Sequence, residues 1–132
     1  MNHSWNISFT YLAILSWMYF ILSALVIKTR LKYRVSIGGN NISELEKLIR
    51  VHGNFAEYIF LGITLIFAGE TLAAPTIYLH SMGLALIIGR VLHFIGVCYL
   101  RSPNPARVLG MTLTFYVLIT APAFIIYQLY LD

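Results

Sequence analysis

Five polar residues recur at helical spacing in two segments of the sequence. Arg50, Asn54 and Glu57 are spaced i, i+4 and i+7, and Arg90 and His93 are spaced i, i+3. Residues at these intervals share one face of a helix. The set carries more positive than negative charge, so an anionic ligand is its natural complement. A ligand with several carboxylates and one ammonium group would match these side chains well.

The composition indicates that lipid covers much of the protein surface. The 132 residues are 59% hydrophobic and 11% charged, whereas a soluble domain carries about 25% charged residues. The net charge of +4 does not indicate nucleic-acid binding, because the basic residues punctuate apolar spans and form no patch on a soluble face. The single cysteine, Cys98, excludes an intramolecular disulfide and is interpreted as a packing residue.

The apolar runs predict one all-α domain over residues 1–132, a four-helix bundle that spans the membrane. About 20 apolar residues are needed to cross a bilayer, and we expect helices at about residues 7–27, 44–72, 76–100 and 106–131. Ser43 and Glu46 have capping-box spacing at the start of the second helix, and prolines separate the later ones. The uncharged run of the second helix, residues 58–69, is too short to span. The polar stretch before it must therefore enter the membrane.

The distribution of Lys and Arg predicts the orientation of the helices. The first loop contains Lys28, Arg30, Lys32 and Arg34, the third contains Arg101 and Arg107, and the second loop contains none. The positive-inside rule places both basic loops in the cytoplasm and both termini outside. We interpret the run from Lys28 to Arg34 mainly as a topology signal near anionic headgroups.

Helix geometry predicts that the two polar segments lie at one depth. Counted from the turn near Ala74 at 1.5 Å per residue, Glu57 lies roughly 25 Å and Arg90 roughly 24 Å inward. Asn54 and His93 fall roughly 4–5 Å closer to the cytoplasm by the same arithmetic. We therefore expect a cationic site in the cytoplasmic half of the bundle.

Three sequence blocks resemble those of the MAPEG family, the membrane-associated proteins in eicosanoid and glutathione metabolism. The stretch R-V-H-G-N-F-A-E-Y at 50–58 resembles the helix-two signature of the family, and G-R-V-L-H at 89–93 its helix-three motif. R-S-P at 101–103, followed by R-V-L-G-M at 107–111, resembles the next conserved block. The blocks occur in order along essentially the whole chain, and the pattern is similar to that of short bacterial members.

The resemblance implies a homotrimer that binds glutathione between subunits, without a metal. Its glutathione-binding residues would be Arg50, Asn54, Glu57, Arg90, His93 and Arg101. Arg107 matches the position of an arginine that stabilises the glutathione thiolate, and hence would be catalytic. A guanidinium at that position lowers a thiol pKa by favouring the charged, nucleophilic form. The implied function is a transferase or peroxidase that acts on lipophilic electrophiles or hydroperoxides in a bacterial inner membrane.

Other interpretations of the same residues stay open. Gly53, Val97 and Met111 replace side chains that contact the ligand in some family members. They favour a non-catalytic protein of this fold that binds a lipid headgroup or another anion. Glu57 and Arg90 could form only a structural ion pair, or Glu57 could relay protons in a small transporter. A metal site is disfavoured because the neighbouring arginines repel a cation.

Overall fold

The computed structural model describes residues 6–130, which form four helices. They are α1 (Asn6–Tyr33), α2 (Ser43–Thr71), α3 (Thr76–Cys98) and α4 (Pro105–Tyr130). Each is long and apolar enough to cross a membrane. The shortest, α3, has 23 residues and is roughly 35 Å long, against about 30 Å of hydrocarbon. The all-α, four-helix membrane fold expected from the sequence is confirmed in this part of the chain.

The main difference from the expected helix boundaries lies at the end of α1. This helix continues beyond Ile27 through the basic run to Tyr33, because Lys and Arg can extend their stems to the headgroups while the backbone stays helical. Helix α2 includes the polar stretch that contains Arg50, Asn54 and Glu57. The expected last residue of the fourth helix, residue 131, lies outside the described residues, as do residues 1–5 and 132.

The helices pack in one bundle in which α3 and α4 are the most closely associated pair. Helix α1 packs along α2, and α2 contacts both α3 and α4. A Cβ placed on Gly110 would lie 2.6 Å from the carbonyl oxygen of Gly89, so the two backbones touch at this point. Small residues allow such close approach between membrane helices. The largest fully buried apolar side chains are Leu15, Leu45, Ile66, Met82, Leu86, Val51 and Val117.

Glu70 closes the end of the bundle that holds the α2–α3 turn. Its carboxylate accepts hydrogen bonds from the backbone N–H groups of Ile7 (3.1 Å) and Ser8 (2.9 Å) and from the Ser8 hydroxyl. These N–H groups belong to the first turn of α1, where they lack helical partners and where the helix dipole favours an anion. Glu70 therefore fastens the start of α1 to the end of α2.

The opposite end, which we call the basic end, holds the α1–α2 loop (residues 34–42) and the α3–α4 loop (residues 99–104). Lys32 of α1 forms an ion pair with Glu44 of α2 at 2.9 Å, and Tyr33 donates a hydrogen bond to the same carboxylate at 2.7 Å. Within residues 6–130 this is the only ion pair shorter than 4 Å. The other basic residues of this end are therefore not neutralised by carboxylates of the described chain.

Candidate functional site

Arg90, near the middle of α3, is the centre of a polar cluster inside the bundle. Its side chain is only 3% exposed. Nη1 donates to Oδ1 of Asn54 on α2 at 2.7 Å, and Nη2 donates to the hydroxyl of Thr114 on α4. The Met111 sulfur lies 3.7 Å from Nη2, and the Tyr58 ring lies 5.7 Å from the guanidinium carbon. Three helices thus converge on one guanidinium.

The close contact between α3 and α4 places Thr114 beside Arg90. Gly89 and Gly110 bring the two backbones together, and Thr114 lies one turn beyond Gly110 on the same face of α4. The Thr114 hydroxyl donates to the Gly110 carbonyl at 3.0 Å while it accepts from Arg90. Thr114 is 0% exposed. A fully buried hydroxyl with both bonds made holds the guanidinium in one orientation.

His93 lies one turn after Arg90 and is also buried, with 4% of its surface exposed. Neither of its ring nitrogens has a hydrogen-bond partner within the described residues, and neither does Nε of Arg90. Buried polar atoms are normally hydrogen-bonded, so these three nitrogens are the part of the cluster able to take a further partner.

Glu57 does not pair with Arg90, so the interpretation of these two residues as an ion pair is wrong. Glu57 is exposed on the surface of the single chain, and Asn54 occupies the position beside the guanidinium. The two α2 residues are three positions apart, which turns their side chains about 60° from one another around the helix. Arg50, on the same stripe, is exposed as well. The polar stripe on α2 therefore has Asn54 on the edge that faces the bundle interior, and Arg50 and Glu57 on the edge that faces outward.

Arg107 lies at the basic end, in the first turn of α4. Asn104 caps this turn, since its Oδ1 accepts from the Arg107 N–H at 2.9 Å. The Asn104 amide also donates to the carbonyls of Gly96 (2.8 Å) and Arg101 (3.1 Å), which ties the start of α4 to the end of α3. The exposed Arg107 guanidinium donates to the Ser102 hydroxyl at 3.3 Å. Asn104 thus fixes the backbone from which the Arg107 side chain extends.

A surface groove of about 400 Å³ adjoins Arg107. Its wall is polar at the loop and apolar along α4; the lining residues are Ser102, Pro103, Asn104, Arg107, Val108, Met111, Thr112 and Phe115. Met111 connects this groove with the buried cluster, because its sulfur reaches Arg90. Arg101 is exposed at the same end of the bundle. The structure thus brings Arg90, Asn54 and His93 together inside, and leaves Arg50, Glu57, Arg101 and Arg107 on the surface.

Two residues that position the site were not predicted from the sequence. Thr114 could have been found from its spacing to Gly110, because small residues four apart often mark a contact face of a membrane helix. Asn104 stands immediately before Pro105, which is the first residue of α4. An Asn followed by Pro at the first helical position is a strong N-cap signal. Both signals are visible in the sequence, although neither indicates the partner side chain.

The fold and the site together define a multi-pass membrane protein with an arginine-centred polar cluster between its helices. Residues 8–127 match the MAPEG family, and the chain belongs to that family.

Two relatives, each called inner membrane protein YecN, come from Escherichia coli strains K12 and O6:H1 (CFT073). Each is 39% identical to the chain over 87 residues, which cover 60% of this chain and 66% of the relative. The match thus spans just under two thirds of the relatives' length. No solved structure matches the chain.

Proposed function

We propose that the protein is a glutathione-dependent membrane enzyme that conjugates or reduces lipophilic electrophiles or hydroperoxides. The observation that carries this proposal is the buried Arg90, which has two neutral oxygen partners and no carboxylate partner within residues 6–130. A buried cation without a counter-charge favours an anion beside it. The carboxylates of glutathione supply that charge, and membership in a family that includes glutathione-dependent enzymes supports the choice of ligand.

The proposed division of roles follows the depth of the residues. Arg90 and His93 bind the ligand from inside the bundle, through Nε of Arg90 and the ring nitrogens of His93, which have no hydrogen-bond partner within residues 6–130. Asn54 orients Arg90. Arg50, Glu57 and Arg101 are exposed in the single chain, and they complete the site from its surface. Glu57 accepts from the ligand ammonium group. A site of this kind fits between subunits, so the proposal includes a homotrimer.

Arg107 is the proposed catalytic residue. Its guanidinium stabilises the glutathione thiolate, and the apolar wall formed by Val108, Met111 and Phe115 receives the lipophilic substrate from the bilayer. In conjugation, the thiol proton passes to water, a carbon–sulfur bond forms, and any displaced group leaves with its bonding electrons. In hydroperoxide reduction, two glutathione molecules are oxidised to the disulfide while the O–O bond breaks to give an alcohol and water.

The proposed location is a bacterial inner membrane, with both basic loops in the cytoplasm and both termini outside. The relatives' name places those proteins in the inner membrane, and the Lys and Arg distribution supports the orientation. This orientation presents Arg101 and Arg107 to cytoplasmic glutathione.

Isothermal titration with glutathione tests the proposal. The full chain is purified in detergent, its oligomeric mass is measured, and glutathione is titrated into wild type, Arg90→Met and Lys47→Gln. Lys47 is an exposed cation on the same helix as Asn54, and its replacement removes one charge outside the cluster. Saturable binding that Arg90→Met abolishes and Lys47→Gln retains is the expected result. No saturable binding to a folded wild-type trimer would refute the proposal.

A second candidate is a non-catalytic membrane protein of the same fold whose cluster binds a lipid headgroup or another anion. Both terminal nitrogens of Arg90 already donate to side chains of the same protein, and the Met111 thioether lies beside Nη2. These internal bonds favour the second candidate, because they leave only Nε of Arg90 for a ligand. Gly53 adds no side chain to the stripe on α2. Native mass spectrometry separates the two candidates. A retained phospholipid in a protein that takes up no glutathione supports the second.

A further inference from the structure

The α1–α2 loop carries a second group of cations, separate from the Arg90 cluster. Lys32 is neutralised by Glu44 at 2.9 Å, but Arg30 and Arg34 have no carboxylate within 4 Å in the described part of the chain. Arg30 donates twice from Nη1, to the carbonyls of Ser36 (3.3 Å) and Gly38 (2.9 Å). These bonds order the loop and leave the rest of its guanidinium fork available.

Arg34 lies in a backbone turn that usually contains glycine. The Val35 N–H bonds to the Arg30 carbonyl at 3.0 Å and the Arg34 N–H bonds to the Leu31 carbonyl at 3.3 Å. This pair of bonds is the Schellman pattern that ends a helix. Arg34 has a φ of 55°, in the left-handed region where a side chain with a Cβ is disfavoured. The chain therefore keeps a guanidinium where a glycine would fit the backbone better.

The turn forms one wall of a groove of about 400 Å³ that contains both arginines. The residues that line it are Ile27, Arg30, Leu31, Arg34, Val35 and Ser36. Leu31 is 75% exposed, and Ile37 at the loop is 88% exposed. Since α1 spans the membrane, this apolar surface continues the lipid-facing side of the helix. The guanidinium groups of Arg30 and Arg34 lie at the end of this apolar surface, where α1 ends.

We propose that this groove is a binding site for an anionic phospholipid. Arg30 and Arg34 hold the phosphate, and the acyl chains lie along Ile27 and Leu31. Guanidinium groups bind phosphate oxygens through paired hydrogen bonds, and the apolar wall favours a ligand that also carries acyl chains. A topology signal needs only the net charge of the run, whereas this site needs Arg34 in particular. The inference is independent of the proposed enzymatic function.

The test compares phospholipid binding to two single-charge variants by native mass spectrometry. Full-length protein in detergent is titrated with phosphatidylglycerol and with phosphatidylcholine of the same acyl chains. Arg34→Asn removes the charge but keeps a residue type that tolerates this φ. Lys32→Gln lowers the net charge of the same run by one at a residue that does not line the groove. Wild type should prefer phosphatidylglycerol, and Arg34→Asn should weaken that binding about fivefold, as expected for one juxtamembrane cation. Lys32→Gln should bind as wild type does.

The possible outcomes separate the proposal from its alternatives. Equal loss in the two variants would show a general charge effect and overturn the site. Unchanged phosphatidylglycerol binding in Arg34→Asn would also overturn it. Inorganic phosphate is the third probe: if it competes with the lipid at equal concentration, the groove binds a soluble anion and the assignment to phospholipid is wrong. Thermal unfolding of Arg34→Asn without lipid should match wild type, which excludes misfolding as the cause of lost binding.

Discussion

The bond between Arg90 and Thr114 gives a sharp prediction about what holds the bundle together. Thr114→Val keeps the shape and β-branching of the side chain and removes only the hydroxyl. Arg90 Nη2 then retains a single neighbour with hydrogen-bonding capacity, the Met111 sulfur at 3.7 Å. Water does not reach this position easily, since Thr114 is fully buried. The variant should therefore unfold more readily than wild type.

The expected loss follows from two measured ranges. A hydrogen bond to a charged group contributes about 1.5–3 kcal/mol in soluble proteins, whereas bonds between membrane helices average about 0.6 kcal/mol and reach about 1.7 kcal/mol. The Arg90 bond belongs at the upper end of the second range, because the donor is charged and only Asn54 would remain as an oxygen acceptor. We expect Thr114→Val to lower the free energy of unfolding by about 1.5 kcal/mol.

The assay is equilibrium unfolding in detergent mixed with increasing SDS, followed by circular dichroism. Thr112→Val is the matched control, because Thr112 lies on the same helix, is exposed, and bonds only the Val108 carbonyl at 3.0 Å. Its loss should stay within about 0.5 kcal/mol. In an Arg90→Met background, Thr114→Val should lose most of its effect. Equal losses at the two threonines, or an undiminished loss without Arg90, would refute the bond as a source of stability.

Three further substitutions test the contacts around the cluster. A Cβ at Gly110 would lie 2.6 Å from the Gly89 carbonyl oxygen and 2.8 Å from the His93 backbone nitrogen, so Gly110→Ala should cost about 2 kcal/mol or more in the same assay. Gly53→Ala meets nothing within 4 Å and should be neutral or gain about 0.5–1 kcal/mol; a loss there would contradict the packing. Asn104→Ala should lower stability by about 1–2 kcal/mol, because it removes both a helix cap and the tie between α3 and α4; an unchanged melting curve would show that the cap is dispensable.

Helical spacing was enough to predict a polar stripe on one face of α2, but not how α2 is rotated within the bundle. Arg50, Asn54 and Glu57 share a stripe that is broad enough for one edge to be buried and the other exposed. The spacing therefore could not tell whether Asn54 or Glu57 meets Arg90. That choice depends on how far α2 turns toward α3, which follows from apolar residues such as Val51 and Phe55 packing into the core. Periodicity within one helix contains no information about its neighbour.

The contact between Thr114 of α4 and Arg90 of α3 could not be predicted from the sequence, for a different physical reason. Thr114 reaches Arg90 only because Gly89 and Gly110 let the two backbones touch. The sequence contains both glycines, but their pairing joins residues far apart in the chain and depends on the relative height of two helices. Arg34 illustrates the same limit at the level of the backbone. Its left-handed conformation is one that sequence rules assign to glycine, so no residue type marked the helix end at Tyr33. The end of α1 was instead expected at Ile27, where the uncharged run stops.

The placement of the charged residues links the candidate site to assembly. Arg90 is held internally by α2 and α4, which makes one half of the cluster rigid within a single chain. Arg50 and Glu57 are exposed on the outer edge of the same α2 stripe, with no ion-pair partner among residues 6–130. Charged groups within a membrane span are costly when they face lipid. A neighbouring subunit that covers this edge would remove that cost and enclose a ligand against Arg90. If the proposed glutathione site lies between subunits, glutathione affinity should fall when the proposed oligomer dissociates, even where each chain remains helical. Circular dichroism and titration on the same sample can measure both.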